Sequence, residues 1–155
     1  MLSPGEHPCA VELRHRSWLD DGKKEIDPSA RKVLKERNAA TVLIDGPGFP
    51  ITKEETADRS YVRFHGRDYD IWNTDEKEGD YRINMYDYLD TQEQLDHWKS
   101  RIEESEVITG KARVYFNNHA MAKAIRNDFQ IMGMPVIAHK AKEINLQDQF
   151  TLGSF

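Results

Sequence analysis

The stretch Thr41-Val42-Leu43-Ile44 is a short apolar run that stops abruptly at Asp45 and the punctuation Gly46-Pro47-Gly48-Phe49-Pro50. It is too short for an ordinary helix and lacks the polar/apolar alternation of a strand with one wet face. Such a run suits a strand buried on both faces, as in a parallel sheet covered by helices. Parallel neighbours cannot be joined by hairpins, so the flanking sequence has to supply crossovers, usually helices.

It does. Cys9 to His15 alternates, with Val11 and Leu13 on one face and Ala10, Glu12 and Arg14 on the other. Asp27-Pro28 then opens a helix, with Asp as cap and Pro at the first helical position, and Ala30, Val33 and Leu34 form its apolar face. Ser60 to Phe64 alternates again, Val62 and Phe64 against Arg63 and His65, until Gly66 breaks the strand. Thr91-Gln92-Glu93-Gln94 is a capping-box start, followed by Leu95, Trp98 and Ile102 at helical spacing. Lys111 to Asn118 alternates as a fourth strand. A helix is predicted from about Ala120 to Met132, its apolar face made by Ile125, Phe129 and Met132 and its end marked by Gly133.

The predicted fold class is therefore α/β, with about four parallel βα units and right-handed crossovers. Residues 1–139 are read as one domain and 140–155 as a C-terminal tail without a clear period. The polar loop from Asp68 to Asp90 carries Trp72, Tyr81, Tyr86 and Tyr88, which packing beneath the loop explains at least as well as a ligand does.

In parallel strands all carboxyl ends lie on one edge, where open α/β sheets and βα barrels build their sites. Every predicted strand ends polar: Arg14 and His15, Asp45, Arg63 with His65 and Arg67, and Asn117 with Asn118 and His119. His65 is the candidate acid/base, with Arg63 two residues away on the same face and Gly66 giving a ligand room to approach. Arg14, Arg63 and Arg67 are candidates to clamp a carboxylate or phosphate. Glu12 and Asp45 can orient a histidine or act as a second carboxylate, and Asn117 and Asn118 supply neutral donors. This set favours an anionic small molecule, phosphorylated or sugar-like, handled by acid/base chemistry at His65, Arg63 and Asp45. The same edge offers a second use, a metal held by His15, Asp45, His65 and His119. No close-spaced pair such as His-x-x-x-His supports that use, and no sequence feature names a cofactor.

Composition narrows the classes further. A net charge of -5 over 155 residues disfavours a general nucleic-acid or anionic-membrane surface. The single cysteine, Cys9, excludes an internal disulfide framework and a multi-cysteine zinc site, and its apolar neighbours predict a buried, inert thiol. No run approaches membrane-spanning length and the first residues lack a signal-peptide pattern, so a cytoplasmic protein is expected. Glycine-rich dinucleotide, phosphate-loop and Gly-x-Ser-x-Gly motifs are absent.

Several segments share an order with a known family. Ala10 to Trp18 (AVELRHRSW), Ile44 to Pro50 (IDGPGFP), Tyr61 to Arg67 (YVRFHGR), Tyr86-Asp87-Tyr88, Gln94 to Trp98 (QLDHW) and Tyr115 to His119 (YFNNH) resemble the YecE-like family. That family has a TIM-barrel-like domain and no assigned function. Asn127 also fits its pattern, while Asp128 stands where a small apolar residue is usual. The resemblance implies that these strands form the second half of a barrel, with the first half upstream of Cys9. From this follow the expectations of a separate chain carrying the first half-barrel, of self-association, or of a modified sheet closed by the tail, and, alternatively, a non-catalytic half-barrel serving as a subunit or binding module that needs a partner.

Overall fold

The computed structural model describes residues 7–20, 25–48, 52, 54–68, 86–118 and 120–134. Four parallel strands lie in the order β1 (Ala10–Val11), β2 (Ala40–Asp45), β3 (Ser60–Phe64) and β4 (Ala112–Phe116). Helices α1 (Pro28–Glu36), α2 (Gln92–Thr109) and α3 (Lys123–Ile131) follow β1, β3 and β4. Sequential parallel strands with intervening helices are the arrangement of half a TIM-type barrel. No helix among the described residues is long and apolar enough to cross a membrane.

The strand register divides the sheet into two faces. Leu43, Val62 and Val114 are in register, and Leu43, Val62 and Phe64 pack with Leu95 and Trp98 of α2 into the main core. A smaller cluster of Leu13, Ile26, Leu34 and Ala39 seats α1 on the sheet. The other face carries the rows Val42, Tyr61, Arg113 and Ile44, Arg63, Tyr115. This inner face is the one a closed barrel would enclose. All six residues of β2 are buried, as the apolar run requires.

The helix starts are those the sequence encodes. Asp27 accepts from the backbone N–H groups of Ser29 and Ala30, satisfying donors that a helix start leaves open. Thr91 and Gln94 form the reciprocal capping box of α2, and Gly110, at φ 75°, ends it.

Four local expectations are corrected. The β1 ladder holds only Ala10 and Val11, although alternation continues to Arg14: beyond it Glu12 turns to partners on β3 and Leu13 to the core. Cys9 is exposed, because it lies on the lead-in before the ladder. Val33 is 57% exposed, leaving Leu34 as the buried residue of α1. Ile125 of α3 and Met132 just past its end are exposed, and the buried residue of the helix is Asn127. That helix starts at Lys123, after Met121 and Ala122 in left-handed conformations. The tail from 140 onward, Trp72 and Tyr81 lie outside the described residues.

Candidate functional site

At the carboxyl end of the inner face one carboxylate gathers three partners. Glu12 Oε1 accepts from Arg14 Nε at 2.7 Å and lies 3.1 Å from His65 Nε2, while Oε2 accepts from Arg63 Nη1 at 2.5 Å. The period-two phase of β3 places Arg63 and His65 on this face, and Glu12 arrives from the end of β1. Asn117, just past β4, brings Nδ2 to 3.4 Å from His65 Nδ1. An amide nitrogen can only donate, so the neutral tautomer with its proton on Nε2 fits both contacts.

Burial decides which of these groups a ligand could touch. His65 is completely buried, whereas the Arg63 and Arg14 side chains keep 33% and 53% of their surface. Burial lowers the His65 pKa; Glu12 opposes this, but Arg63 and Arg14 add to the lowering. The imidazole is accordingly neutral at pH 7. Burial works to raise the Glu12 pKa and is outweighed by hydrogen bonds from Arg63 and Arg14 and by positive charge on His65, so the net direction is down. With His65 neutral at pH 7, the two guanidiniums carry that depression.

An open groove of about 480 Å³ runs beside this cluster, lined by Glu12, Tyr61, Arg63, Tyr115 and Asn117. The Tyr61 and Tyr115 rings are parallel to within 5° with centroids 6.0 Å apart, and Arg113 sits over Tyr61.

A second cluster lies on the helix side of the same edge. Asp45 takes both Arg67 Nε and Nη2 at 2.8 Å, a bidentate pair that spends its carboxylate. Asn118 donates to the Tyr88 carbonyl at 2.8 Å and to Asn127 Oδ1 at 2.7 Å. Asn127 in turn accepts from the Asp90 N–H and donates to the Asp90 carbonyl. Gly66, at φ 83°, does not leave room for a ligand as its position suggested: a Cβ there would lie 2.6 Å from Tyr88 Cβ. Tyr88 is thus packing against the strand end.

The predicted rim therefore resolves into two groups. Arg14, Arg63, His65 and Asn117 come together around Glu12, and Arg67, Asp45 and Asn118 form the other cluster. His15 joins neither; it is exposed, and its ring bonds Ser17 to cap the turn Arg16–Trp18. His119 lies outside the described residues. The metal set is not assembled by the described members, because His15, Asp45 and His65 are each committed to different partners. No group of three or more metal-ligating side chains converges among the described residues. Sequence reasoning missed Asp90, Tyr61 and Tyr115. The two tyrosines were legible from their phase with Arg63, whereas Asp90, one residue before a helix cap, carries no distinguishing signal.

Fold and rim define a parallel βα unit of barrel type with a polar carboxyl edge. Residues 2–149 match the family described as "Protein of unknown function DUF72", and the chain belongs to that family. It is 27% identical over 134 residues to the UPF0759 protein YunF of Bacillus subtilis, spanning 83% of this chain and 46% of YunF. A crystal structure of a DUF72 family protein from Thermotoga maritima is similar at TM-score 0.69 and 27% identity, over 83% of this chain and 46% of that one. Another, from Enterococcus faecalis, shares the fold at TM-score 0.70 and 20% identity, over 86% and 50%. The chain spans about half the length of these relatives.

Proposed function

We propose that this chain, a YecE-like member of its family, binds an anionic small molecule, phosphorylated or sugar-like, at the carboxyl edge of its inner sheet face. The observation that carries the reading is the convergence of Arg14, Arg63 and His65 on Glu12 beside an open groove. Glu12 takes only one of the five N–H groups that a guanidinium offers, so Arg63 retains donors for an oxyanion. Arg14 and Asn117 complete the anion-facing set, and the parallel Tyr61 and Tyr115 rings give the groove a flat wall suited to a sugar face.

In acid/base chemistry here, Glu12 is the group nearest the groove able to accept a proton. His65, buried behind it, is a positioning residue that fixes the carboxylate through Nε2–H. Asp45 and Arg67 belong to the neighbouring ion pair and support the strand ends.

Calorimetric titration with inorganic phosphate, glucose 6-phosphate and uncharged glucose tests the proposal. Both phosphates should bind and glucose should not, and Arg63→Ala should weaken phosphate binding about 10- to 100-fold, the worth of one charge-assisted pair. Equal binding by wild type and Arg63→Ala would refute the site.

A second reading rests on the sheet edges. Among the described residues β1 and β4 each have a strand neighbour on one side only, and Tyr115, Met121, Ile125 and Met132 are exposed. Such edges fit a unit completed by a further βα half, as a separate chain or by self-association. Light scattering tests this: a monomer that binds no hydrophobic dye would refute it.

A further inference from the structure

Asp90 and Asn118 are 2% and 0% exposed, and each has a side-chain oxygen, Asp90 Oδ1 and Asn118 Oδ1, without a hydrogen-bond partner. Buried acceptors without donors are rare, because each forfeits its water without replacement. The amide groups around them are bonded: Asn118 Nδ2 reaches the Tyr88 carbonyl, Asn127 Oδ1 and, at 3.4 Å, Asp90 Oδ2. Asn127 brackets the Asp90 backbone from α3 through both its amide atoms. The cluster thus ties the segment before α2 to the end of β4 and to α3, and it lacks a hydrogen.

We propose that this Asp90–Asn118–Asn127 cluster is a proton-operated latch, in which protonated Asp90 fastens residues 86–91 to the strand ends. A solvent proton adds to the carboxylate, removing a buried charge and turning one acceptor oxygen into a donor. Asn118 Oδ1, on the same amide whose nitrogen already approaches the other carboxylate oxygen, is an acceptor awaiting a donor. What the latch holds is functional in position. Tyr88 sits against Gly66, between His65 and Arg67, so release of 86–91 loosens both clusters of the rim.

The charges facing Asp90 set the operating range. Burial raises its pKa to about 6, Asp45 at the end of β2 adds to the rise, and Arg67 beyond β3 together with Asp90's own backbone hydrogen bond oppose it. From β4 and α3 the facing groups, Asn118, Asn127 and Gln130, are neutral, and Lys123 is paired with Asp87 at 2.6 Å. Below pH 6 the latch is closed, and above it the carboxylate strains the cluster.

The test uses the intact chain. Carbon-detected NMR of the wild-type Asp90 carboxyl should show a midpoint near 6; a midpoint near the ordinary Asp value of about 3.9 overturns the proposal. Hydrogen exchange of the 86–91 amides, corrected for base catalysis, should show opening at least about tenfold greater at pH ~7.5 than at pH ~5. In Asp90→Asn, which supplies a permanent donor without charge, this dependence should vanish. A flat wild-type profile, or an equal slope in the variant, overturns the latch. Should the variant not fold, the wild-type midpoint and exchange slope decide alone.

Discussion

Gly66→Ala isolates the contact between the β3 end and the segment that precedes α2. Gly66 has φ 83° and faces Tyr88 Cβ at 2.6 Å from where its own Cβ would stand, with Tyr88 Cγ at 3.3 Å. Gly110, at φ 75°, has nothing within 4 Å of the equivalent point. Both substitutions incur the left-handed cost, about 1–2 kcal/mol. Only Gly66→Ala adds overpacking, about 1–3 kcal/mol more, because the atom met is a Cβ fixed to backbone rather than a flexible tip. Urea unfolding should therefore place Gly66→Ala about 2–5 kcal/mol below wild type and Gly110→Ala only about 1–2 kcal/mol below. A cycle with Tyr88→Gly, which removes the opposing Cβ, should recover the difference, while Tyr88→Ala, which keeps that atom, should recover little. Equal losses for the two glycine variants would refute the docking of Tyr88 on the strand end.

Other expectations concern the charge clusters and helix starts. Glu12 and His65 both have folded pKa values below their ordinary ones, so their contributions are full above the unfolded values and are lost as pH falls through the folded ones. Urea midpoints should thus fall in acid, and Glu12→Gln should be about 1–3 kcal/mol less stable at pH 7 and lose less on acidification. Asp90 acts oppositely: raised to about 6, it costs stability as pH climbs from ~4 to ~6, by up to about 3 kcal/mol, and Asp90→Asn should remove that loss. Thr91→Ala breaks the capping box of α2 and should cost about 1 kcal/mol by the same assay. Ala122→Gly relieves a left-handed residue at φ 59° and should be neutral or stabilising by up to about 1 kcal/mol, whereas an Ala→Gly change inside α3 should destabilise.

What the sequence disclosed follows from how local each cause is. The β2 run, the alternation of β3 and β4, and the caps at Asp27 and Thr91 are set by neighbours a few residues apart, and all appear where the pattern placed them. Convergence of polar strand ends was legible because parallel topology brings every carboxyl end to one edge. The partition of that edge was not. Whether Asp45 pairs with Arg67 or with a histidine depends on strand twist and on which face each side chain leaves, and no spacing encodes it. Alternation made Arg63 and His65 equal members of a rim, yet His65 is sealed behind Glu12 while Arg63 keeps a third of its surface. In α3 the apolar period pointed to Ile125 and Met132, but the buried position belongs to Asn127, whose partners, Asp90 and Asn118, lie 37 and 9 residues away. A polar residue buried through such distant bonds reads in sequence as a surface residue.

Anion binding at the inner rim is tested at Arg63, the guanidinium that lines the groove and keeps a third of its surface. NMR of arginine side-chain N–H groups during titration with inorganic phosphate should shift Arg63 and Arg14 together and saturate at one affinity. Arg113 and Arg101 should stay in place, and Glu12→Gln should alter the response. Shifts spread over all surface arginines without saturation, or an unmoved Arg63 while others respond, would contradict it.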